Sequence, residues 1–130
     1  MVGILLVTHN GLGDSFIDCV QHVLGEVPNN LKGLSVHASD DSQRKLREGE
    51  ELIKQLDTGA GVLILADVYG ATPSNIGRQL CHTDRVMGVA GVNLPMLLRV
   101  LRQPGRTLPE LAKMSIDGGR ECIVHMNPGN

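Results

Sequence analysis

The sequence predicts a doubly wound α/β domain built on a mostly parallel sheet. Two uninterrupted apolar runs, residues 4–7 (ILLV, preceded by Val2) and 62–66 (VLILA), are short and bounded by turn residues. Such runs mark strands buried on both faces. Amphipathic helical stretches separate the strand-like ones, so strands alternate with helices along the chain. A length of 130 residues suits one domain, 1–130, with a real core.

Taken in order, the first run ends in Thr8-His9-Asn10-Gly11-Leu12-Gly13, a glycine-rich turn, and Asp14 and Ser15 offer caps for the helix that follows. Over residues 14–25 Phe16, Ile17, Val20, Val23 and Leu24 share a helical face, and Gly25 suits the stop. Pro28, Asn29 and Asn30 turn the chain into a weaker strand over 31–37, with Leu34 and Val36 alternating against Ser35 and His37. Residues 39–42 (SDDS) can cap a charged helix to about residue 57, whose buried stripe is Leu46, Leu52, Ile53 and Leu56 and whose charged residues face water.

Residues 58–61 break that helix, and the run 62–66 ends at Asp67 and the turn Val68-Tyr69-Gly70-Ala71. Thr72 fits an N-cap and Pro73 a first helical position, opening a helix to about residue 81. A further buried strand is expected over 86–91, then a helix begun at 93–95 and carrying Met96, Leu97, Val100 and Leu101. A loop spans 103–107. A last helix runs from Leu108 to about Asp117, Gly118-Gly119 stop it, and residues 121–126 form a short final strand.

Composition removes several function classes. The net charge of −2 and pI near 6.2 give no electrostatic ground for nucleic acid, and Phe16 and Tyr69 are too few aromatic residues for a base-stacking platform. The first apolar run is short and lacks a basic leader and a cleavage pattern. No signal peptide or membrane insertion is therefore expected, and the location read is cytoplasmic. Cys19, Cys81 and Cys122 contain no CxxC pair and read as reduced thiols. His22, His37, His82 and His125 are scattered without ligand spacing, so neither a metal site nor a cofactor is expected. Gly11-Leu12-Gly13 opens like a dinucleotide fingerprint, but Phe16 stands where its third glycine belongs, and no P-loop lysine follows.

Two turns carry the chemistry. In a parallel sheet every strand-to-helix turn lies on one edge, so His9 and Asp67 are on the same side. If their strands are neighbours with crossovers to opposite faces, both residues line a topological switch point. A carboxylate that accepts from one imidazole nitrogen fixes the tautomer and frees the other nitrogen's lone pair as a nucleophile. Glycines 11 and 13 let backbone amides approach a phosphoryl group, and Thr72 with the helix it opens supplies further donors. Asp67 and Thr72 taken alone read better as turn caps; with His9 they read as a phosphoryl site.

The segments THNGLGDSF, VLILADVYGATPSN and GVAGVNLPMLL resemble, in order and spacing, the enzyme IIA component of the mannose-type phosphotransferase system. By that resemblance His9 takes a phosphoryl group from the phosphocarrier HPr and passes it to a IIB component. Asp67 orients His9, and Thr72 lies near the phosphoryl oxygens. The family fold implies a four-stranded parallel sheet with a fifth, antiparallel strand at 121–126 exchanged in a homodimer. Asn10 stands where glycine is usual, a position asparagine tolerates in a left-handed turn, and Tyr69 stands where tryptophan is common. No IIB-like region follows in the sequence, so a standalone component is expected, in sugar uptake or its regulation. The alternative reading is a regulatory or ligand-binding α/β module that is phosphorylated without onward transport.

Overall fold

The two apolar runs are the central strands of a four-stranded parallel sheet in this computed structural model, which describes residues 1–82 and 84–129. The elements are β1 (Gly3–His9), α1 (Leu12–Leu24), β2 (Leu31–Val36), α2 (Ser42–Leu56), β3 (Val62–Ala66), α3 (Thr72–Leu80), β4 (Val86–Ala90), α4 (Leu94–Leu101) and α5 (Leu108–Glu121). Strand order is β2-β1-β3-β4, and β1 pairs with β3 in a register that sets Val7 opposite Ala66.

Successive side chains along a strand point to opposite faces. Ile4, Leu6, Leu63 and Leu65 meet Val20, Leu97, Val100 and Leu111 of α1, α4 and α5 on one face. Leu5, Val7, Val62 and Ile64 meet Leu56, Ile76 and Leu80 of α2 and α3 on the other. The helices that follow β1 and β3 thus leave to opposite faces, which opens a crevice between the two strand ends.

Several local expectations are corrected. Helix α1 starts at Leu12 with Gly11 as its N-cap and no side-chain cap, so Asp14 and Ser15 lie inside its first turn. Val23 is exposed and off the buried stripe. Thr72 is already helical, one residue inside the cap position, which Ala71 occupies. Strand β4 is an edge strand: Val86 is buried, but Met87, Val89 and Ala90 are half-buried and Gly88 is exposed.

The largest difference concerns the C-terminus. Helix α5, opened by a Thr107–Glu110 capping box, runs through Gly118-Gly119 to Glu121. The glycines carry the helix past α4 instead of stopping it. A Cβ on Gly118 would lie 2.7 Å from Arg99 Cδ, and one on Gly119 would lie 3.0 Å from Met96 Cε. Close packing therefore outweighs glycine's helix penalty of about 1 kcal/mol. Asn93 Nδ2 donates to the Gly119 carbonyl at 3.0 Å, and Arg99 pairs with Glu121 at 2.9 Å, which fastens the added turn. Residues 122–129 are exposed and form no strand, which corrects the strand read at 121–126 for the single chain. The outer edge of β4 bears no further strand among the described residues.

Candidate functional site

His9 ends β1, and Asp67 follows β3 directly, so the β1–β3 pairing brings them together although they are far apart in sequence. The imidazole Nδ1 and the Oδ2 of Asp67 are 2.8 Å apart, and the backbone amide of His9 donates to the same Oδ2 at 2.8 Å. The other oxygen, Oδ1, accepts from the Val68 amide at 2.9 Å. The carboxylate is 6% exposed and the imidazole 46%, so the acid is enclosed while the ring faces solvent.

Burial alone pushes the Asp67 carboxyl up. The His9 amide, the His9 ring and the Val68 amide together more than offset this and hold it below its ordinary value. An ionised carboxylate can only accept, so the His9 proton belongs on Nδ1 and the lone pair on Nε2. The pair can thus present a neutral nucleophilic nitrogen to an incoming electrophile.

The turn after His9 needs an unusual backbone. Asn10 adopts φ 47°, among the described residues the lone non-glycine with positive φ, and its amide donates to the Val36 carbonyl at 3.0 Å. Asparagine is one of the few side chains that take this conformation readily. The first amide of α1 engaged within the helix is that of Ser15, donating to Gly11 at 3.1 Å. The amides of Leu12, Gly13 and Asp14 precede it and lack intrahelical acceptors, and the helix dipole adds positive character there.

The other residues singled out in the sequence lie on the same sheet edge with no hydrogen bond to either member of the pair. Thr72 is exposed in the first turn of α3, just after Gly70 at φ 86°. Gly11 is exposed with open space around it, whereas Gly13 is buried and packs on Thr8. Gly13 therefore has a packing reason to be glycine that the sequence did not reveal. Sequence reasoning also passed over Thr8 as turn scenery. It is a β1 residue, fully buried, and its position between an apolar run and His9 was the available signal. No group of three or more His, Cys, Asp or Glu among the described residues is arranged to hold a metal ion. No described helix is long and apolar enough to cross a membrane.

A parallel switch-point domain with a carboxylate-oriented histidine at its crevice defines the class. Residues 3–114 match the EIIA-man family, described as the PTS system fructose IIA component. The chain therefore belongs to the mannose-type family of phosphotransferase-system IIA components. It is 27% identical over 125 residues to the mannose-specific EIIAB component of Escherichia coli K12, which aligns over 94% of this chain and 38% of that protein. The chain thus spans well under half of that relative. It is 30% identical over 102 residues to the sorbose-specific EIIA component of Lacticaseibacillus casei, covering 75% of this chain and 70% of that one. Among solved structures, EIIA from Streptococcus agalactiae superposes with a TM-score of 0.82 at 25% identity, covering 96% of this chain and 97% of that chain.

Proposed function

We propose that this chain is a phosphoryl carrier, that His9 is its acceptor, and that residues 1–130 act as one IIA domain. The observation that carries this reading is the short contact between His9 Nδ1 and the enclosed, ionised Asp67, which leaves Nε2 as the free nitrogen. The donor is phospho-HPr and the onward acceptor a IIB component, in sugar uptake or its regulation, with the chain working in the cytoplasm. Nε2 forms the new N–P bond as the donor's bond to phosphorus breaks, and the donor atom keeps that electron pair. The ring then carries a positive charge while its Nδ1–H still donates to Asp67. The Asp67 carboxylate is placed against that developing charge, a fixed electrostatic resource of the kind phosphoryl transfer relies on. Amides at the start of α1, together with Thr72, Gly11 and Gly13, serve the phosphoryl oxygens.

The same reading includes a homodimer in which residues 121–126 of one copy add to the β4 edge of the other. Its support is that Ile123, Val124 and Met126 are 74%, 71% and 90% exposed beside an uncovered strand edge. A groove of about 490 Å³ lined by Val89, Met96, Ile116 and Ile123 also runs along that edge. The second reading, a regulatory module phosphorylated without onward transfer, shares the His9 chemistry and differs only in the acceptor.

The test is to incubate the protein with phosphoenolpyruvate, enzyme I and HPr and to measure its intact mass beside a His9→Ala variant. An acid-labile gain of one phosphoryl group in the wild type alone is expected. No gain with active donors would overturn the carrier reading.

A further inference from the structure

Thr8 is fully buried, and its hydroxyl oxygen has no hydrogen-bond partner. Valine has nearly the same shape and would fill this place at no polar cost. A hydroxyl that gives up hydration and receives nothing in return destabilises the chain that holds it. Strand alternation turns Thr8 to the face of Ile4 and Leu6, beneath α1. Its oxygen lies against the helix's first turn, since a Cβ on Gly13 would sit 2.8 Å from it. That turn carries the amides of Leu12, Gly13 and Asp14, which precede the first helical hydrogen bond, from Ser15 to Gly11. A buried hydroxyl without a partner therefore lies beside a helical turn whose first amides have no intrahelical acceptor, one residue from His9.

We propose that Thr8 is a positioning residue for the phosphorylated state. When His9 carries a phosphoryl group, the anion draws the first turn of α1 toward it. The Thr8 oxygen then accepts one amide of that turn, and the remaining amides stay aimed at the phosphoryl oxygens. The hydroxyl is unpaired in the resting protein because its partner arrives only with the charge. This inference rests on His9 being the phosphoryl acceptor.

The test compares Thr8→Val, which keeps the shape, with Thr8→Ser, which keeps the hydroxyl, using the full chain loaded by phosphoenolpyruvate, enzyme I and HPr. Two quantities are read: the hydrolytic half-life of the phosphorylated protein and the thermal midpoint of the unphosphorylated one. Thr8→Val should shorten the half-life about 3- to 10-fold, the worth of one hydrogen bond, with a resting midpoint equal to or above wild type. Thr8→Ser should stay close to the wild-type half-life. In the wild-type chain, amide exchange at residues 12–14 should slow on phosphorylation, a readout independent of either variant's folding. An unchanged half-life in Thr8→Val, equal shortening in both variants, or exchange that does not slow would each overturn the role of the hydroxyl and leave the carrier reading standing. A wild-type chain that takes no phosphoryl group would overturn both.

Discussion

One oxygen of Asp67, Oδ2, accepts from both the backbone amide and the ring Nδ1 of His9, each at 2.8 Å. The carboxylate thus grips the histidine at two points separated by a single side-chain torsion path, which limits the rotation of the ring. Its second oxygen is tied to the Val68 amide at 2.9 Å, so the grip is itself held by the β3–α3 turn. In the proposed reaction, a ring fixed in this way would present Nε2 without first losing rotamer freedom, the positioning on which phosphoryl transfer relies.

Replacing Asp67 by Asn keeps the shape and removes the charge. A hydrogen bond to a charged group is worth about 1.5–3 kcal/mol, so the rate of phosphorylation from phospho-HPr should fall about 10- to 100-fold. Rapid-quench measurement of phosphorylated protein checks this, with circular dichroism expected to be unchanged. A rate equal to wild type would remove Asp67 from the mechanism.

The same carboxyl gives a signed pH dependence. Its native pKa lies below the ordinary value of 3.8, because the His9 amide and ring and the Val68 amide outweigh the upward push of burial. On acidification the unfolded chain binds the proton first, so the native state is weakened. The contribution is complete above the ordinary carboxylate value and is lost as pH falls through the native one. Urea midpoints measured from about pH 5 to about pH 2 should therefore decline, and less steeply in Asp67→Asn. Asp57, held down by the Gly59 amide and by Arg85 against its desolvation, contributes in the same direction, so some slope remains.

Gly11 and Gly13 should part company when each is changed to alanine. At Gly13 the new Cβ would lie 2.8 Å from Thr8 Oγ1, whereas at Gly11 nothing stands within 4 Å. Gly13→Ala is expected to cost about 1–3 kcal/mol through overpacking. Gly11→Ala should stay within about 0.5 kcal/mol of wild type. Chemical denaturation of the two variants side by side decides it.

Asn93 joins two helices. Its Oδ1 accepts from the Met96 amide at 2.9 Å, capping α4, and its Nδ2 donates to the Gly119 carbonyl of α5 at 3.0 Å. Asn93→Ala removes a cap worth about 1 kcal/mol and strands a part-buried carbonyl, for a total of about 2–3 kcal/mol. Asn93→Asp keeps the cap but sets a carboxylate oxygen against the Gly119 carbonyl, so its denaturation midpoint should also fall below wild type.

Much of this architecture was legible because short continuous apolar runs admit few structures. Residues 4–7 and 62–66 read as strands buried on both faces, and the turn residues after them placed His9 and Asp67 on one edge. The C-terminus was misread for an equally physical reason. A glycine pair is a stop signal in isolation, and its role in letting α5 approach Arg99 and Met96 depends on residues some twenty positions away. Edge exposure of β4 was hidden too, since Val86 to Ala90 has the composition of a buried strand and only the sheet order makes it an edge.

Local chemistry in the sequence determined the element types as far as residue 117, the left-handed tolerance at Asn10, the helix start at 93–95 and the two residues worth watching, His9 and Asp67. Those properties depend on neighbours within a helical turn or a strand repeat, so the order of residues suffices. The tertiary structure alone decided that β1 and β3 are adjacent and that Oδ2 reaches both His9 donors. It also set Thr8 against Gly13 with its hydroxyl unpaired. Contacts at 2.8 Å between elements depend on packing across the whole core, which no local pattern encodes.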